Sequence, residues 1–159
     1  MADSTAPTTQ QAKEAPQIEI PDSVRELIAK GPYAHLITIN EDGSPHVTVV
    51  WIGIDNGEFV CGHMAPTKKA ANIRRDPRVA LSILGEGMNP IGLKERLVVY
   101  GTARVVDGGA VDLLTSLAPA YLGPGVLFPP PPLRDKPGFV TRIRPERIDG
   151  IGPWSNRMY

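Results

Sequence analysis

The sequence predicts a mainly β fold with short helices at its joints, a small β-barrel of Greek-key type. Three observations predict it. Short runs of alternating or β-branched apolar residues recur along the chain, with turn residues between them. Helical patterns are brief and irregularly placed, whereas a parallel α/β fold needs strand and helix to alternate regularly. A chain of 159 residues suits one domain around a single core.

Residues 1–19 are rich in Ala, Thr, Gln and Pro and show no periodicity, so a disordered N-terminal tail is expected there. Residues 20–159 form the expected single domain. Pro21-Asp22-Ser23 opens a short helix with Val24, Leu27 and Ile28 on one stripe, and Gly31 ends it. Residues 34–40 alternate as a strand, Glu41-Asp42-Gly43-Ser44 turns, and residues 45–54 form a second strand dense in β-branched side chains. Asn56-Gly57 is a hairpin signal, and residues 59–63 return, giving an antiparallel meander of three strands. A basic helix is expected over residues 67–75, stopped by Asp76-Pro77.

Beyond it, strands are expected at residues 79–84 and 97–106, separated by a loop at 86–90. A helix is expected at 111–117. The segment 119–138 holds seven prolines, four of them consecutive, and is read as a stiff peripheral loop or a lid. Residues 139–144 and 147–151 read as closing strands.

Composition narrows the function. The formal net charge is zero, so no global field draws the chain to nucleic acid or to a membrane surface. Cys61 is the only cysteine, which rules out an intramolecular disulfide and a cysteine-rich metal site. No apolar run approaches the roughly 20 residues that span a bilayer. The N-terminus lacks a charged region followed by an apolar run. A cytoplasmic protein is expected.

Against this neutral background, residues 65–78 carry five cations and one acid. Thr67 is placed to cap a helix whose first turn holds Lys68 and Lys69. Cations are unfavourable at that end of the helix dipole unless something negative binds there, and the free N–H groups of the first turn favour a phosphate. The alternative is a solvated basic helix face. The strand Thr48-Val49-Val50-Trp51 offers backbone groups to the edge of a flat ring and side chains to its face.

Other chemistry is sparse. His35, His46 and His63 stand singly, with no H-x-x-x-H or H-E-x-x-H pair, so no metal site is expected. There is no G-x-S-x-G elbow, no P-loop and no G-x-G-x-x-G fingerprint. Cys61 lies in an apolar strand and reads as a small core residue. No catalytic side chain stands out. A chain so poor in acid–base groups suits an enzyme whose cofactor carries the chemistry.

The order of strand, Gly-x-Pro turn, strand, hairpin, Thr-Lys-Lys-Ala-Ala-Asn-Ile-Arg-Arg-Asp-Pro-Arg-Val and a later Tyr-Gly-Thr-Ala-Arg-Val strand resembles the pyridoxamine 5′-phosphate oxidase-like flavin-binding superfamily. Within it, the chain is most similar to the actinobacterial oxidoreductases that use coenzyme F420, and Arg-Ile-Asp-Gly-Ile-Gly-Pro-Trp at 147–154 matches that group's ending. The resemblance implies a split β-barrel, FMN-binding-like, acting as a homodimer with cofactor sites at the subunit interface. It implies that Lys69 grips the cofactor phosphate beside Thr67 and Lys68, and that Asn72 belongs to the same motif. Thr48, Val49, Val50 and Trp51 would lie along the ring. Gly62 and His63 would border the phosphate helix, and Trp154 would close over the site from either subunit. The family often has Arg two residues before the lysine, where this chain has Thr67.

The implied activity is hydride transfer between coenzyme F420 and an electron-poor organic acceptor, with His46 or solvent as proton source. Two alternatives stand beside it: an FMN-binding oxidoreductase of the same fold, and a non-enzymatic protein that stores a flavin or a tetrapyrrole.

Overall fold

The computed structural model describes residues 15–159. The expected tail falls outside it as far as residue 14. Next to it, Gln17 Nε2 donates to the Gly57 carbonyl at 3.2 Å and the Ile18 N–H to the Pro145 carbonyl at 3.0 Å.

Three helices accompany one sheet of seven strands. The helices are α1 (Asp22–Ala29), α2 (Lys68–Arg75) and α3 (Ala110–Leu122). The strands are β1 (Tyr33–Ile39), β2 (Pro45–Trp51), β3 (Gly53–Asp55), β4 (Glu58–His63), β5 (Arg78–Met88), β6 (Lys94–Asp107) and β7 (Phe139–Ile151). Their order across the sheet is β2-β1-β5-β6-β7-β4-β3, and every pairing is antiparallel. The sequential strands β5, β6 and β7 lie side by side with β4 returning beside β7, which is a Greek key. The predicted class, mainly β with short helices in a split β-barrel, is the one observed.

The two margins of the sheet, β2 and β3, are consecutive in the chain with only Ile52 between them. Trp51 and Gly53 are therefore no more than about 7 Å apart. A seven-stranded sheet whose margins meet at one residue must curl on itself. Its concave side holds the core: Ala34 and Leu36 of β1, Leu81 and Ile83 of β5, Leu97 and Val99 of β6, Ile143 of β7, Phe59 and Cys61 of β4. Val24, Leu27 and Ile28 of α1 join that core, as their spacing predicts. Each such side chain contributes about 1.5–3 kcal/mol on burial.

The structure corrects four expectations. The predicted three-strand meander is divided between the two margins. β2 pairs with β1, the next three residues pair with β4, and β4 lies on the far side of β7. At the break, the N–H of Ile52 is satisfied from outside the ladder, by the Tyr121 hydroxyl at 2.9 Å. The loop expected at 86–90 is largely strand, because β5 runs on to Met88. Gly85 and Gly87 make this possible: a Cβ on Gly87 would stand 2.6 Å from Cδ of Glu95 on β6.

Helix α3 outlasts its expected end at 117 and passes through Pro119. Its last turn is anchored by Tyr121, whose hydroxyl donates to the Pro32 carbonyl at 2.6 Å and whose ring stacks on Trp51. Finally, the two closing strands are one continuous strand, β7, with an extra residue opposite Tyr100 and Gly101. A Cβ on Gly101 would stand 2.1 Å from the Arg144 carbonyl oxygen, so this irregularity requires glycine.

Candidate functional site

The basic helix α2 lies across the barrel end formed by the close of β1 and β4 and the start of β7. Thr67 is its N-cap: the backbone there is extended, and Oγ1 accepts from the Ala70 N–H at 3.3 Å. Ala70 and Ile73 are buried. Asn72, also buried, fastens the helix to β1. Its Nδ2 donates to Thr38 Oγ1 and to Asn40 Oδ1, both at 3.1 Å, and its Oδ1 accepts from Arg75 at 3.1 Å. Its amide is thereby used within the protein, in setting the height and tilt of α2.

The first turn of α2 holds no acid, so Lys68 and Lys69 stand at the positive end of the dipole as the sequence predicts. Lys68 is exposed. Lys69 is half-buried and has no carboxylate partner among the described residues. Burial holds its ammonium below the ordinary lysine range. Its charge acts on two side chains of β4, Cys61 and His63. Burial pushes the Cys61 thiol up to about 12, which agrees with a core role and leaves it no thiolate. His63 Nε2 is 2.9 Å from Thr141 Oγ1 and 3.6 Å from Cys61 Sγ. Burial, with a smaller push from Lys69, lowers its pKa to about 4, so at neutral pH the ring is uncharged. The site's positive charge therefore rests on lysine and not on histidine.

Beside this end runs the open margin of the sheet. β2 pairs only with β1, so the N–H and C=O groups along its other edge have no strand partner. On it, Thr48 Oγ1 is buried with no hydrogen-bond partner. A buried hydroxyl without a partner is unusual in a folded protein.

The residues expected along a ring divide between the two faces of β2. Thr48 and Val50 turn inward opposite Leu36 and Ala34, and Val49 turns outward, 58% exposed. Trp51 packs on α3 and the proline-rich segment: its ring stacks on Tyr121 with centroids 4.8 Å apart and lies 5.0 Å from that of Phe128.

Gly62 serves contact between elements. Its missing side chain lets α3 approach, since a Cβ there would be 3.0 Å from Leu114 Cγ. Trp154 sits at the other end of the barrel, where Nε1 donates to the Arg96 carbonyl at 3.3 Å. From Arg96 to Asp107, the residue that meets Arg74 of α2, is eleven strand steps, roughly 35 Å. Thr67, Lys68, Lys69 and His63 thus gather at one end of the chain's own barrel, and Trp51 and Trp154 at the other. His46 is half-buried on β2 opposite Thr38.

Sequence reasoning missed two features. One is an ion-pair cluster on the convex face. Glu58 accepts from Arg104 and, at 2.6 Å, from Arg142, which also reaches Asp55 at 2.9 Å. These hydrogen bonds hold the Glu58 carboxyl below its ordinary range. The partners are 46 to 87 residues apart, and no local pattern announces them. The other is the compensation of the basic helix. Arg78 pairs with Asp76 at 2.7 Å, Arg74 meets Asp107 at 3.8 Å, and Arg75 donates to the Ile39 carbonyl. Lys68 and Arg75 share a cavity of about 430 Å³ with Glu41 and Asp42.

Comparison with known proteins agrees with this fold. The family model described as pyridoxamine 5′-phosphate oxidase matches residues 20–151. Among solved structures, the chain is similar to an F420 reductase (25% identity, TM-score 0.64, covering 82% of this chain and 98% of that one). It is similar to a conserved hypothetical protein of Mycobacterium tuberculosis (25%, TM-score 0.66, 94% and 91%). HupZ of Group A Streptococcus shares the fold (18%, TM-score 0.59, 87% and 98%). No curated protein matches the chain.

Proposed function

The chain belongs to the pyridoxamine 5′-phosphate oxidase family, and from that membership we propose that it is an oxidoreductase dependent on a phosphate-bearing flavin or deazaflavin, with coenzyme F420 as the preferred cofactor and FMN as the alternative. The observation that carries the reading is Lys69, half-buried and without a carboxylate partner, in the first turn of α2 beside the open margin of β2. The residues present fit such a group. Lys69, the Thr67 cap and the free N–H groups of α2 would hold the phosphate. The unpaired edge of β2 and the unpartnered Thr48 Oγ1 would meet polar atoms of the ring. The likeness to an F420 reductase at 25% identity supports the deazaflavin.

When bound, the cofactor supplies the hydride that an electron-poor organic acceptor receives. The chain's own residues bind and orient. Asn72 sets the position of α2, Thr67 orders its first turn, and Lys69 neutralises the phosphate. No side chain in the cluster is a strong acid–base catalyst, since His63 is held uncharged and Cys61 protonated. His46 and solvent remain the proposed proton sources.

The same reading includes a homodimer. The convex face of β2, β1, β5 and β6 presents Val47, Val49, Tyr33, Leu84 and Tyr100 to solvent, an apolar sheet surface that a second copy would cover. A second chain would also bring Trp154 toward a site that its own chain keeps at a distance. No helix among the described residues is long and apolar enough to cross a membrane, and a cytoplasmic setting is part of the same proposal.

Titration with coenzyme F420 and with FMN, followed by quenching of Trp51 and Trp154, tests the proposal. Saturable binding of the deazaflavin with weaker FMN binding is the expected result. Preference for FMN selects the alternative. Binding of neither overturns the assignment. Turnover with an acceptor separates an enzyme from a storage protein.

A further inference from the structure

In sequence, residues 65–78 carry five cations against one acid, the pattern of a landing strip for a polyanion. The fold removes most of that charge. It brings Glu41 and Asp42 from the turn after β1, and Asp107 from the end of β6, up to the helix that already holds Asp76. Five cations then face four carboxylates, which leaves one positive charge. The pairing is specific. Asp76 takes Arg78 through both its carboxylate oxygens, at 3.0 and 2.7 Å. Arg75 is tied to the Ile39 carbonyl and to Asn72. Arg74 lies between Asp107 and the face of the Phe139 ring. Lys68 shares its cavity with Glu41 and Asp42. Lys69 alone of the five is half-buried, with its charge acting on Cys61 and His63 of β4.

We infer that the site reads the cofactor's phosphate through Lys69 and is indifferent to any oligoanionic tail beyond it. The inference rests on the flavin or deazaflavin reading and deepens it. A tail of carboxylates passing over α2 would find Glu41, Asp42, Asp76 and Asp107 among its cations. Repulsion then offsets attraction, and both are screened at the surface. A tail that found free cations would instead tighten binding about 1.4- to 5-fold for each exposed pair it made.

The test is direct binding, without turnover. Dissociation constants are measured by fluorescence quenching for coenzyme F420 carrying a short and a long oligoglutamate tail, and for the phosphate-bearing deazaflavin with no glutamate. Values within about threefold of one another support the inference. A larger tightening with tail length overturns it while leaving the cofactor assignment intact. Binding of none of the three, and of FMN neither, overturns the assignment and the inference together. A gain of function supplies the second arm. The double substitution Glu41→Gln and Asp42→Asn removes two of the four carboxylates and keeps the Asp42 side-chain oxygen that accepts from the Ser44 N–H. It should create tail dependence where the wild type has none. A double variant with an unchanged melting temperature and still no tail dependence overturns the charge-compensation argument.

Discussion

His63 Nε2 stands 2.9 Å from Thr141 Oγ1, a side-chain hydrogen bond between neighbouring strands, closed off from water at the barrel end. This bond needs a neutral ring if the Thr141 hydroxyl is to donate, and burial keeps the ring neutral down to about pH 4. The unfolded chain has no such constraint and protonates its histidine near the ordinary value of 6.5. Between those values the unfolded state binds the extra proton, so the His63 contribution to stability falls as pH drops from about 6.5 to about 4 and is constant below that. The loss is at most about 3 kcal/mol. Denaturant melts across this range check it. In His63→Gln, whose amide can still meet Thr141, the slope should shrink. An unchanged slope would place the titration elsewhere. The low-lying Glu58 carboxyl, held by Arg104 and Arg142, loses its contribution only as pH falls through its own depressed value, below 4.5.

Lys69→Gln should weaken cofactor binding by about 1.5–3 kcal/mol, roughly 10- to 150-fold, the range for a hydrogen bond to a charged group. Stability should not fall, because the lysine has no partner to orphan and its half-burial disfavours its own charge. Equal affinity in wild type and variant would remove Lys69 from the site.

Cys61 should resist thiol reagents in the native protein and react only on unfolding, since it is 1% exposed and its thiol titrates near 12. A stoichiometric reaction with a chromogenic disulfide under native conditions would contradict the packing around β4.

Val49→Glu places a charge at the centre of the convex sheet face, across from His35. It should leave the melting temperature of the monomer little changed, because Val49 is exposed. Light scattering should show a dimer for the wild type and a monomer for the variant. A wild type that is monomeric at high concentration would refute the proposed interface.

Gly101→Ala should be severely destabilising. Its Cβ meets a backbone carbonyl, which cannot rotate away as a side chain would. Glycine is needed here by the irregularity between β6 and β7, and the sequence offers no sign of it. Its place in the run Tyr100-Gly101-Thr102 looks like any strand interruption.

Much of the fold was legible for local reasons. The stripe of Val24, Leu27 and Ile28, the Asn56-Gly57 turn and the Thr67 cap each depend on residues within a few positions of one another, so the sequence carries their signal. Both turn residues adopt positive φ, at 49° and 74°, as that hairpin requires. The errors came from distant partners. Residues 45–54 read as one strand because β-branched residues continue through Ile52 to Ile54; only Tyr121, 69 residues away from Ile52, reveals the break. Beyond Pro119 the last turn of α3 is fastened by the same tyrosine. In the candidate site, the cap and the two lysines could be read from the chain. The acids that neutralise the remaining cations could not, because Glu41, Asp42 and Asp107 reach α2 only through the path of β1 and β6.

The meeting of β2 and β3 at Ile52 has a consequence for how the molecule tolerates change. Most sheets have two independent borders, and an insertion at one leaves the other alone. Here a single added residue beside Ile52 would shift the phase of both borders against each other, turning either Thr48 and Val50 or Phe59's partner strand to the wrong side. The seam is a hinge pin shared by two doors. Length variation in this chain should therefore be confined to the turns at residues 41–44 and 89–93 and to the proline-rich segment, where nothing on the opposite border has to move.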